Sequence, residues 1–243
     1  MSLLDFDTLT FDCYGTLIDW EAGLLAAVRR HLPGAPAGDD EVLETFGRFE
    51  SEEETATPDL LYPKILERVH GRLADEWSLA VSGDEAQAFG ASVGEWPAFD
   101  DSPAALAVLK RHYRLVILSN VDRESFAASN RRLGVEFDHI FTAQDIGSYK
   151  PDARNFDYAL EHLADAGVAK SKILHTAQSL FHDHVPASKM GLATCWIDRR
   201  HAKEGWGATR APNQDFDAGV EIDYRFESLG AMAAAVEAEA SAR

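Results

Sequence analysis

The nine residues Leu9 to Leu17, LTFDCYGTL, constrain this chain more than any other stretch. Thr8 to Phe11 alternate polar and apolar as a strand does, and Asp12 follows at the strand's end. Gly15 lets the backbone turn tightly beneath whatever sits over that carboxylate. In an open α/β sheet this edge is where ligands bind, so Asp12 is displayed for chemistry.

Further apolar runs read as buried parallel strands: Leu115–Leu118, Ile140–Thr142, Lys172–His175 and Ala193–Ile197. Helical segments alternate with them. Ser102-Pro103 starts one, Asp122 to Leu133 forms another closed by Gly134, and Pro151 to Ala166 a third closed by Gly167. This rhythm predicts an α/β fold with a doubly wound parallel sheet, Rossmann-like in its βαβ units.

Residues 18–97 break the rhythm with helical patterns at Leu24, Leu25, Val28 and Leu32, then at Val42–Phe49 and Leu60–Arg72. They read as a helical cap domain inserted after the first strand, able to close over Asp12; the alternative is extra helices packed on the core. The core is then expected over 1–17 and 98–243. The Ala- and Glu-rich tail from Ser228 is expected to be a surface helix that frays.

A formal charge of −18 argues against nucleic acid or an anionic membrane surface as partner. No basic stretch leads into an apolar run and no span of eighteen apolar residues occurs, which predicts a cytoplasmic protein. Two cysteines, Cys13 and Cys195, both in predicted core strands, suit reduced buried thiols better than a disulfide.

Two more segments place polar groups at strand ends: Ser119-Asn120 in ILSN, and Lys150 in SYKPD. Singly, the first is an ordinary turn and the second a solvated lysine. In this order with Asp12, they resemble the first three motifs of the haloacid dehalogenase superfamily over most of the chain. The fourth segment, HTAQSLFHDHVPA from His175, separates its branches. Phosphatases of the superfamily usually place a glycine-aspartate pair where this chain has Ala177-Gln178, and a second aspartate where it has Tyr14. Hard magnesium prefers anionic oxygens, which Gln178 lacks although Asp183 remains, and a departing halide needs no proton. The chain therefore resembles the type II, L-2-haloacid, dehalogenases.

That resemblance implies Asp12 as nucleophile, Lys150 as its charge partner and Thr16 as its hydrogen-bond donor. It implies Tyr14, Ser119 and Asn120 for substrate binding, and Arg48 with Asn120 for the halide. Arg48 also reads as a surface ion pair with Glu44 or Glu52, each four residues away. Asp183 would orient Lys150 or activate water, and Trp20, Phe156, His175, Gln178, Ser179 and His182 are candidate pocket residues. No cofactor and no metal are expected; His182, Asp183 and His184 sit at neighbouring and alternate helical positions that do not face one site. The expected substrate is a small anionic 2-haloacid, including fluorinated acids, held by local cations and N–H groups because long-range attraction cannot recruit it. Relatives are often dimeric, so a homodimer is expected. A magnesium-dependent phosphatase is the alternative enzyme, and a binding protein without turnover a third class.

Overall fold

Parallel strands need long crossovers, and helices supply them here. The computed structural model describes residues 2–201, 220 and 222–243, so part of the core expected over 98–243 lies outside the described residues. Its strands are β1 (Thr8–Phe11), β2 (Arg114–Ser119), β3 (His139–Thr142), β4 (Ile173–Ala177), β5 (Ala193–Ile197) and β6 (Tyr224–Phe226). They form one six-stranded sheet in the order β3-β2-β1-β4-β5-β6. Every pairing is parallel. Strand β1 lies at the centre with all four residues buried, and the order reverses between β1 and β4. That reversal opens a crevice at the carboxyl ends of β1, β2 and β4. Strand β6 escaped the sequence reading because Tyr-Arg-Phe is too short for its alternation to register.

Helices α1 (Trp20–His31), α2 (Asp39–Ala56), α3 (Tyr62–Glu76) and α4 (Gly83–Ala91) form the insertion after β1. Asp19 caps α1 by accepting the Ala22 N–H at 3.1 Å, and Ser82 and Glu85 form a capping box on α4. Where the chain leaves and re-enters the core it pairs with itself: Asp19 N–H donates to the Pro97 carbonyl at 2.8 Å and Phe99 N–H to Leu17 at 3.1 Å. Cap and core share one apolar cluster that runs from Leu9 and Leu17 through Trp20, Leu24 and Phe46 to Trp96. Burying that surface is what seats the insertion on the sheet.

The core helices are α5 (Ser102–Leu109), α6 (Arg123–Leu133), α7 (Ala143–Ile146), α8 (Ala153–Asp165), α9 (Val185–Lys189) and α10 (Leu229–Ser241). Asp122 caps α6 through the Glu124 and Ser125 N–H groups, and Gly134 ends it at φ 67°. One expectation is corrected. Pro151 does not open a helix; α8 starts at Ala153, with Asp152 accepting the Arg154 N–H at 2.9 Å. The tail forms a helix as expected, α10, and one face of it packs on α5 and buries Leu229, Met232, Ala233 and Val236. Cys13 and Cys195 are free and buried, and burial pushes both thiols up. Among the described residues no helix is long and apolar enough to cross a membrane.

Candidate active site

Asp12 emerges from β1 into the crevice and is 6% exposed. Lys150 reaches it from the loop between α7 and α8, and its buried Nζ donates to Asp12 Oδ1 at 3.0 Å, Asp183 Oδ1 at 2.6 Å and the Leu118 carbonyl at 2.9 Å. Three acceptors for three protons leave the ammonium fully satisfied. Thr16 Oγ1 donates to Asp12 Oδ2 at 2.7 Å and accepts the Gln178 N–H at 2.9 Å, tying the loop after β1 to the end of β4. The Thr16 carbonyl is in turn gripped by Arg199, whose Nη2 donates at 2.9 Å, a contact the sequence reading missed.

Burial pushes the Asp12 carboxyl upward against the pull of Lys150, with the Asp183 charge adding to the rise. A desolvated, more basic carboxylate is a stronger nucleophile. Burial acts on Asp183 too, yet Lys150 and His175 outweigh it and hold that carboxyl well below the usual range. His175 lies at 3.0 Å from Asp183 Oδ1 through Nε2 and at 2.9 Å from Thr10 Oγ1 through Nδ1. Nε2–H donating to the carboxylate and Nδ1 accepting from the hydroxyl satisfies both contacts.

A cavity of about 480 Å³ opens over Asp12 and brings Tyr14, Trp20, Ser119, Asn120, Lys150, Gln178, Ser179, His182 and Asp183 together. Ser119 Oγ is buried without a partner, as are Trp20 Nε1 and Asp183 Oδ2. The Tyr14 ring faces the cavity while its hydroxyl meets Ser129 on α6 at 2.8 Å. Asn120 is committed to its neighbour: Oδ1 accepts the Lys150 N–H at 2.6 Å and Nδ2 donates to the Lys150 carbonyl at 2.9 Å. It positions the lysine more than it presents an amide to a ligand. Ser179 caps the turn that carries Asp183, accepting the His182 N–H at 3.0 Å.

Three expected residues fall elsewhere. Arg48 points out of α2 with half its side chain exposed, 3.4 Å from Glu76, which is neither of the acidic partners expected for it. His175 and Phe156 lie beneath the site with ring centroids 5.1 Å apart, and Phe156 belongs to the apolar cluster on β2 and α8. In their place the cap supplies Glu50, Glu54 and Tyr62, none of which the sequence reading selected. Tyr62 donates its hydroxyl to Glu50 and Asn120 Nδ2 reaches Glu54 at 3.4 Å. Their signal lay in the spacing. Leu43, Phe46, Glu50 and Glu54 continue one buried stripe of α2, so carboxyls sit where apolar side chains belong, while Arg48 falls off the stripe.

The donor set does not suit a divalent cation. A protonated amine already bridges the Asp12 and Asp183 carboxylates, and position 178 adds only a neutral amide. Among the described residues no three His, Cys, Asp or Glu side chains are grouped to hold a metal.

A carboxylate at the end of a central parallel strand, a lysine shared between two carboxylates, a hydroxyl donor and a helical insertion are thus brought to one crevice of an α/β fold. The chain belongs to the haloacid dehalogenase-like hydrolases, whose family model matches residues 6–176. It is 35% identical over 104 residues to the (S)-2-haloacid dehalogenase of Pseudomonas sp. (strain YL), covering 42% of this chain and 43% of that one. The chain thus spans less than half the length of that relative. It is 25% identical over 202 residues to (S)-2-haloacid dehalogenase H-109 of Pseudomonas putida, covering 80% and 86%. The L-2-haloacid dehalogenase structure from Xanthobacter autotrophicus shares the fold, at TM-score 0.75 and 18% identity over 96% of this chain and 98% of that one.

Proposed function

We propose that the protein hydrolyses short 2-haloacids to 2-hydroxy acids through an aspartyl ester, without a metal. The carrying observation is Lys150 held between Asp12 and Asp183, which keeps one carboxylate charged as nucleophile and ties up the other with a proton-bearing amine. Similarity to the two Pseudomonas dehalogenases supports the reading. An oxygen of Asp12 attacks the carbon bearing the halogen from behind, the carbon–halogen bond breaks, and halide leaves with the bonding pair. Water then adds at the aspartyl carbonyl; the acyl bond breaks, the proton passes to the departing oxygen, and the 2-hydroxy acid leaves with its centre inverted.

Lys150 and Thr16 stabilise charge on Asp12 through both steps. Asp183, held at low basicity, serves to orient Lys150 rather than to take the water's proton. Ser119 Oγ and Trp20 Nε1, both buried donors without partners, suit the substrate's carboxylate and halogen. The reading includes a core of residues 1–17 and 98–243, a cap of 18–97 hinged at the paired crossings near Ile18 and Ala98, and a homodimer. Fluoroacetate falls within the proposed substrate range.

A second reading, the magnesium-dependent phosphatase, is favoured by one observation: Asp183 Oδ2 is buried without a partner, as an unused ligand would be. Halide release from L-2-chloropropionate, bromoacetate and fluoroacetate in excess chelator, beside Asp12→Asn, decides between them. Release that survives chelation and vanishes in the variant is expected. Phosphate-ester hydrolysis that appears only with magnesium, and no halide from any acid, would overturn the dehalogenase reading.

A further inference from the structure

The cap wall of the cavity carries two carboxyls where an anionic substrate would call for a cation. Glu50 and Glu54 lie one turn apart on α2, 6% and 7% exposed, and among the described residues no Lys or Arg forms an ion pair with either. Lys150 is engaged by Asp12 and Asp183, and Arg48 faces solvent. Each cap carboxyl meets a protein donor through one oxygen, the Tyr62 hydroxyl for Glu50 and Asn120 Nδ2 for Glu54. Glu54 also lines a second cavity, of about 620 Å³, that shares Lys150 and His182 with the first. It therefore stands between the two cavities.

Two unpaired buried carboxylates side by side are disfavoured, and a proton on at least one relieves them. Burial pushes Glu50 up to about 7; burial and then the Glu50 charge push Glu54 well above its ordinary value. The titratable groups around the pair are Tyr62 on α3, Tyr149 and Lys150 before α8, His182, and Asp12 and Asp183 on the cavity floor. Ser119 and Trp20 line the same cavity, and their Oγ and Nε1 atoms are buried and lack partners. An N–H and an O–H seeking acceptors point to a ligand with anionic oxygen or halogen.

We propose that Glu54, backed by Glu50, determines specificity as a neutral carboxylic acid that donates a hydrogen bond to the anionic end of the substrate. It takes the place expected for a cap arginine, and makes binding conditional on a proton. As Glu50 and Glu54 ionise, the wall turns from donor to repeller and anion affinity falls. The substrate class named here rests on the dehalogenase reading, whereas the proton linkage does not.

The test is calorimetric binding of L-lactate, an unreactive analogue that keeps the configuration of L-2-chloropropionate with hydroxyl in place of chlorine, to the whole chain between pH 6 and 9. The expected result is affinity that falls as pH rises across this range, with net proton uptake on binding wherever it falls. In Glu54→Gln, whose amide donates at every pH, the fall in affinity with pH is expected to be clearly shallower than in the unaltered chain. Thermal unfolding checks that the variant folds, and proton uptake by the unaltered chain needs no variant. Flat or rising affinity with pH, an unchanged slope in Glu54→Gln, or no lactate binding at any pH overturns the proposal. So does methylammonium that competes with lactate and binds better as pH rises, which would make the wall a cation site. Halide release from L-2-chloropropionate runs alongside. Lactate binding with the expected slope but no halide removes the dehalogenase reading alone, and halide release with pH-independent binding removes the Glu54 proposal alone.

Discussion

At the residue scale the site is governed by where protons sit among buried groups. Lys150 satisfies three acceptors at 3.0, 2.6 and 2.9 Å, a geometry that a planar guanidinium does not reproduce. Lys150→Arg is therefore expected to lower kcat for halide release by at least about 100-fold and to lower the thermal midpoint as well, since the larger cation enters a buried site. Glu50 gives a prediction of opposite character. Folded, burial keeps its proton on up to about 7; unfolded, it releases the proton near 4.5. The folded state thus binds more protons across that window, and stability falls as pH rises through it. Glu50→Gln removes the fall and keeps an oxygen for the Tyr62 hydroxyl. It is expected to stabilise the chain at pH 8 by on the order of 3 kcal/mol and to do almost nothing at pH 4, as denaturant titrations at the two pH values would reveal. His184 works the other way: buried and held down to about 4, it lets stability drop as pH falls below 6.5.

At the element scale, the cap depends on close approach between helices. A Cβ built on Gly90 of α4 would lie 2.4 Å from the Pro63 carbonyl of α3, and that backbone has no rotamer by which to yield. Gly90→Ala is expected to destabilise by about 1–3 kcal/mol, read as a drop in the thermal midpoint. The local signals for most core elements were legible. Asp122 and Gly134 bracket α6, and the apolar runs of β2, β4 and β5 are long enough to announce buried strands. β6 and the start of α8 were not legible. The first is three residues long, and the second follows a proline that helix statistics would place inside the helix.

At the scale of the whole molecule, a charge of −18 on 243 residues sets a repulsion that salt screens. The thermal midpoint is expected to rise by several degrees between about 0.05 and 1 M sodium chloride, checked by scanning fluorimetry, because screening acts on the folded surface most strongly. A homodimer would sediment at twice the mass of one chain, which analytical ultracentrifugation measures directly. The C-terminal helix belongs to this scale as well. It packs on α5, β6 and the Leu3–Asp5 turn, so segments distant along the chain meet there.

The sequence by itself determined the parallel sheet, the helical insertion and the chain of Asp12, Thr16, Ser119 and Lys150 at the strand ends. Strand periodicity and turn residues are local, and a strand's end defines a shared edge once the strands are parallel. Only the tertiary structure decided which cap face looks onto that edge. Arg48 and Glu50 are two residues apart on α2, about 200° around the helix, so the docking of one face sends the arginine to solvent and the carboxyl into the cavity. That choice rests on burying Phe46 and Leu43 against Trp20 and its neighbours, which are distant along the chain; the stripe's spacing marks the buried face, and only its partners decide what that face overlooks.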